Sequence, residues 1–227
     1  MDPVSDLRLS DPTPSSAVSE AIRKECTTGL CAKRGLGTGS RFGLSVLVLA
    51  GVVLALAASR RGGFDNPAVA AAMSGALVWG VIQIGILAVG LVRPLGKRAS
   101  VAQRVALGAA LPVAFFAYLA FFGSRWEPAG DFFGTNQSLH AVGCGMTSSI
   151  AGALGALGVL FAWKGTDPFT PGLSGALVGL TGGLAGAAGI GIVCPAAERW
   201  HLFVGHGVGI MAVVALGWYV GRRVLAP

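Results

Sequence analysis

Residues Gly172–Val193 read GLSGALVGLTGGLAGAAGIGIV. The stretch carries no charge, and Gly175, Gly179 and Gly183 recur every fourth residue. A run of this length matches the roughly 17–25 apolar residues that a helix needs to cross a bilayer. Small residues four apart lie on one helix face and let neighbouring backbones approach closely in lipid. Gly172–Val193 therefore reads as a membrane helix whose glycine face is built for packing.

Five more runs free of Asp, Glu, Lys and Arg flank it: Phe42–Ala58, Pro67–Val92, Val105–Gly123, Leu139–Trp163 and Leu202–Gly221. All 27 charged residues of the 227-residue chain fall between or outside these runs. Charged residues make up 12% of the chain, about half the usual share of a soluble domain. The mean hydropathy of +0.70 agrees. The runs lack strict alternation and are too long for barrel strands. The expected fold is all-α: an integral membrane bundle of six transmembrane helices spanning 42–223, preceded by a cytoplasmic tail, 1–41. The polar start argues against a cleavable leader, so the first run is expected to act as its own insertion signal.

Thirteen Lys and Arg fall on one side of this topology, in the tail, the second and fourth connections and the C-terminus. Four, Arg60, Arg61, Arg125 and Arg199, fall on the other. The positive-inside rule then puts both termini in the cytoplasm. The net charge of +7 follows from this topology and gives no reason to expect direct nucleic-acid binding.

The tail opens with the Pro-bearing segment Asp11–Pro14, which suits extended chain. Ser15 or Ser16 can cap a helix, with Val18, Ala21 and Ile22 at i, i+3, i+4 and the pair Glu20/Lys24 four apart. The helix is expected to be marginal alone and to dock on a partner through Val18, Ala21 and Ile22, with a glycine-rich leash between Gly29 and Ser40. The bland alternative is a solvated tail. Cys26 and Cys31, spaced C-x4-C, read as free thiols on the reducing side.

Gly152, Gly155 and Gly158, and Gly205, Gly209, Gly217 and Gly221, repeat the small-residue pattern. Bundle packing is the main reading, and self-association through such a face is left open. Pro112 interrupts the third run. Gln83 is the main buried polar candidate. The absence of acidic and basic residues from the runs argues against a proton-coupled pump. Neither G-x-S-x-G, H-E-x-x-H nor a Walker sequence occurs, and an enzyme is not expected.

Cys144 starts the fourth run, and Cys194 ends the fifth, so both are expected at the outer face. His140 lies one turn before Cys144, His201 seven residues after Cys194, and His206 about a turn and a half deeper. Three readings stay open. Cys144 and Cys194 can form a disulfide or redox pair, since thiols oxidise outside the cytoplasm. His140, Cys144, Cys194 and His201 can hold zinc or another thiophilic metal. Or they are unlinked packing residues. Beyond that metal, no cofactor is expected.

Cys144, the run Pro171–Leu180, Cys194-Pro195, Trp200-His201 and the closing Gly221-Arg222-Arg223 together resemble the NrsF-type membrane proteins, six-helix bacterial inner-membrane anti-sigma factors. The resemblance covers roughly residues 140–223. The first three runs match in layout, and the CarR-like carotenogenesis regulators of myxobacteria are similar in size, topology and role. The resemblance implies that Cys144 and Cys194 are an outer cysteine pair implicated in sensing stress. It also implies that the tail holds an extracytoplasmic-function sigma factor inactive, which makes the chain a negative regulator of transcription. The length of the tail, with Cys26 and Cys31, departs from the family and leaves the sigma factor and signal undefined. The soluble zinc-dependent anti-sigma pattern H-x3-C-x2-C is matched only in its first spacing, by His140 and Cys144. A small metal-binding or transport membrane protein using the outer Cys/His cluster is the alternative.

Overall fold

The computed structural model describes residues 16–29, 36–59, 78–92, 99–122, 137–194 and 201–227. These form seven helices and divide into two compact units, Met1–Gly37 and Thr38–Pro227. In the first unit α1 covers Ser16–Gly29, on the segment whose apolar spacing predicts it. Val18 and Ala21 are exposed on it, and the side chain of Ile22 lies outside the described residues.

The second unit holds α2 (Thr38–Ala58), α3 (78–92), α4 (Val101–Phe122), α5 (Gln137–Ala162), α6 (Pro171–Val193) and α7 (201–224). Helix α3 ends in a π turn, Ala88–Val92, and α7 begins with one, Leu202–Gly207. Four stretches are long and apolar enough to cross a membrane: Thr38–Ala58, Ala141–Ala162, Pro171–Val193 and Gly205–Val224. Val78–Leu91 and Val101–Ala114 are shorter apolar stretches. The chain is a multi-pass membrane protein by this measure. Helices α2 and α4 begin a turn before the charge-free runs do, so Arg41 and Arg104 lie inside helices.

Helix α6 is the hub. Its most apolar window is 83% buried, against 17–33% for the other three spans. The reason is the glycine face. A Cβ on Gly175 would stand 2.2 Å from the Gly217 carbonyl oxygen, and one on Gly182 2.4 Å from that of Gly152. Such distances lie inside van der Waals contact, so α5 and α7 rest on α6 backbone against backbone. The small-xxx-small pattern is thus consumed within the chain, as bundle packing requires. Larger residues fill the flanks. Leu177 packs beside Gly90 of α3 and Gly108 of α4, while Gly155 and Gly158 of α5 receive Val52 and Val48 of α2.

At the end where α5 turns into α6, the buried Trp163 indole N–H donates to Ser45 Oγ at 2.9 Å. The C-terminus closes over this turn: Val224 and Leu225 carbonyls accept from the N–H groups of Gly165 and Asp167, each at 2.9 Å. Gly165 takes φ +70°, the left-handed region that a glycine enters without strain.

Candidate functional site

At the opposite end of α5 and α6, Cys144, Cys194 and His201 meet. Each is placed by a local feature of the sequence. Cys144 lies in the N-terminal part of α5, next to Gly145. A Cβ on Gly145 would come within 2.8 Å of the Gly205 carbonyl oxygen, so the missing side chain lets α5 close on the start of α7. Cys194 is the C-cap of α6 (φ −81°, ψ 116°), and its N–H still donates to the Ile190 carbonyl at 2.8 Å. The thiol therefore projects where the helix has ended, just before Pro195, which cannot donate a further helical hydrogen bond. His201 opens α7.

The two sulfurs are 3.6 Å apart, the distance of a thiol hydrogen bond. Cys194 Sγ lies 3.1 Å from His201 Nε2. One ligand atom from each residue falls within 4.8 Å of the other two. Cys194 and His201 are buried, at 5% and 4% exposure, and Cys144 is half-buried. Two soft sulfurs and an imidazole nitrogen can share protons, exchange a disulfide, or hold a thiophilic ion.

Of the four residues the sequence offers as metal ligands, the structure brings Cys144, Cys194 and His201 together. His140 is on α5 one turn before Cys144, and its side chain lies outside the described residues. His206, which the sequence places about a turn and a half deeper, is not in that ligand set. In a regular α-helix, residues five apart point about 140° away from each other. The π turn Leu202–Gly207, with its i→i+5 pattern, offsets that rotation, and the His201 and His206 ring centroids are 5.9 Å apart. His206 is 1% exposed, and its Nε2 has no hydrogen-bond partner among the described residues. Its hydrogen bond runs to the backbone at Ala187 on α6. Gln83, the buried polar residue expected in α3, is 3% exposed with its Nε2 likewise without a partner.

A second polar cluster lies at the other end of the bundle. Arg104 of α4 donates through Nη1 to Thr170 Oγ1 at 2.7 Å and through Nη2 to Ser174 Oγ. The Ser174 hydroxyl donates to Asp167 Oδ2. Asp167 Oδ1 accepts from the Phe169 and Thr170 N–H groups at 3.2 and 3.1 Å, ahead of α6. These contacts fasten α4 to the α5–α6 connection. Arg104 and Asp167 are 63 residues apart, and neither local spacing nor the charge count pairs them.

No family model, curated protein or solved structure matches the chain.

Proposed function

We propose that the protein is a membrane-bound anti-sigma factor. Its tail sequesters an extracytoplasmic-function sigma factor, and the Cys144/Cys194/His201 end of the bundle receives the environmental signal that releases it. The observation that carries the reading is the division of the chain into two units: one is a tail bearing α1, with Val18 49% exposed, and the other is a helical bundle that has a buried thiol and imidazole cluster at one end. An amphipathic helix too short to be stable alone gains order on docking into a partner's apolar groove. Covering a sigma surface needed for polymerase is then enough to repress.

In this reading α3 and α4 complete six spans in a bacterial inner membrane, with both termini cytoplasmic. Support comes from the described cations of the bundle. Arg41, Arg104, Lys164, Arg222 and Arg223 all belong to the end opposite the thiols, as the positive-inside rule asks of the cytoplasmic side. Arg222 and Arg223 stack over Trp218 and Tyr219 at 4.7 and 4.6 Å, aromatics of the kind that settle at a membrane interface. The signal works only through a difference in sigma affinity between two states of the protein, about 1.4 kcal/mol for each tenfold.

The test is affinity purification of the detergent-solubilised full chain with identification of what co-purifies. A sigma factor that is retained by the intact chain and lost when residues 1–37 are deleted supports the proposal. Full repression without the tail moves the contact to the second connection, at its basic residues Arg93, Lys97 and Arg98.

A second reading, a small transporter for a thiophilic ion, is favoured by the three donor atoms within 4.8 Å. Flux of such an ion into proteoliposomes separates it from the first.

A further inference from the structure

We propose that Cys144, Cys194 and His201 form a binding site for one thiophilic d10 cation, Zn2+ or Cu+, with His206 as a donor held in reserve behind them. The binding claim stands on this geometry alone. That the cation is the releasing signal rests on the anti-sigma reading above.

The distances fit such an ion. Zinc–sulfur bonds are about 2.3 Å and zinc–imidazole bonds about 2.0–2.1 Å, so two thiolates on a tetrahedral ion lie about 3.8 Å apart and a thiolate and imidazole about 3.5 Å. Here the corresponding separations are 3.6 Å and 3.1 Å, and the remaining pair lies within 4.8 Å. An ion enters with shifts of roughly an ångström and without rebuilding the backbone. The two thiols give up their protons to solvent as it binds.

The donor set selects the ion class. Two sulfurs and an imidazole suit soft and borderline ions, whereas magnesium and calcium require oxygen ligands. Three donors complete the coordination of Cu+. Zn2+ takes a fourth, and His206 is the reserve donor. It is buried, its Nε2 lacks a hydrogen-bond partner among the described residues, and the π turn has brought its ring to 5.9 Å from that of His201.

The site is also placed to act on the bundle. Its ligands come from α5, the C-cap of the central α6 and the first residue of α7. Coordination ties the end of α6 to α5 and α7, which already meet here backbone against backbone at Gly145, Gly205 and Ala141. That gives an ion differential affinity for two arrangements of the bundle, which any switch requires.

The experiment uses the full chain in detergent, with Cys26→Ser and Cys31→Ser to remove the tail thiols. The reduced protein is equilibrated with Zn2+ or, anaerobically, with Cu+, each against a competing chelator, then desalted and assayed for metal. We expect about one ion per chain, and affinity lower by at least about tenfold in Cys144→Ser, Cys194→Ser and His201→Gln. His206→Gln should weaken Zn2+ more than Cu+, and the competition identifies the preferred ion. The variant-independent measurement is thiol labelling: Zn2+ or Cu+, but not Mg2+, should slow maleimide reaction at Cys144 and Cys194 by at least about tenfold. Failure to retain either ion, or retention undiminished by all three ligand substitutions, overturns the site. A retained ion that leaves the amount of bound sigma factor unchanged overturns its role as the signal. Failure of any sigma factor to co-purify counts against the anti-sigma reading and leaves the metal result standing.

Discussion

The guanidinium Nη2 of Arg104 and the carboxylate Oδ2 of Asp167 lie 3.9 Å apart, with side chains 3% and 0% exposed. Ser174 bridges the gap, donating to Asp167 and accepting from Arg104. A buried charge pair offsets its desolvation only while both partners and their hydrogen bonds are in place.

Removing one charge should therefore cost more than removing both. Asp167→Asn keeps an oxygen for the Phe169 and Thr170 N–H groups but leaves Arg104 without a counter-charge. We expect a loss of about 3–5 kcal/mol of stability, against less for Arg104→Met combined with Asp167→Asn. Thermal unfolding in detergent measures both. Equal losses from the single and double variants would mean that the hydrogen bonds, not the charges, carry the cluster.

The glycine face makes a sharper test. Gly175→Ala sets a Cβ 2.2 Å from the Gly217 carbonyl oxygen and should force α6 and α7 apart, at a cost of about 1–3 kcal/mol or more. Gly191→Ala, with nothing within 4 Å of its Cβ, should be neutral or slightly stabilising. Size-exclusion profiles and unfolding midpoints compare the two. An unaffected Gly175→Ala would show that the helices do not meet there.

Orientation is open to reporter fusion. A phosphatase active only outside the cytoplasm, fused after Pro227, should be inactive, while a cytoplasm-active reporter at the same place should work. The reverse pattern would place Arg222 and Arg223 outside, against the positive-inside rule.

Oxidation reports on the thiol pair. With the sulfurs 3.6 Å apart, mild oxidant should join Cys144 and Cys194 within one chain by moving the sulfurs together about 1.5 Å. Peptide mapping under non-reducing conditions detects the bridge. Chiefly intermolecular products would mean that the half-buried Cys144 reaches a second molecule more readily than Cys194.

In the tail, Val18→Asp should relieve repression of a sigma-dependent promoter by several-fold, which corresponds to about 1 kcal/mol, while leaving membrane insertion intact. Promoter activity and membrane fractionation read the two effects separately. Unchanged repression would assign the sigma contact elsewhere on the cytoplasmic side.

Sequence alone determined the helical membrane class, because apolar run length and the exclusion of charge follow directly from bilayer thickness. It also located the tail helix near Val18 and Ala21, since helix period and capping are local properties. The spacing of Gly175, Gly179 and Gly183 identified a packing face but not its partners. That Gly175 meets Gly217, and Gly182 meets Gly152, was decided by the tertiary structure, because in lipid many small-residue faces are equally able to pack. The cysteines and histidines were legible as a set at one end of the bundle. Their selection was not. His201 joins Cys144 and Cys194 because α6 ends at Cys194 and α7 restarts beside it, and His206 turns toward His201 only through a π turn that α-helical periodicity does not anticipate. The Arg104–Asp167 pair was invisible for the same reason: the charge count treated both as loop residues, and only the docking of α4 against the α5–α6 connection turned two distant charges into one buried contact.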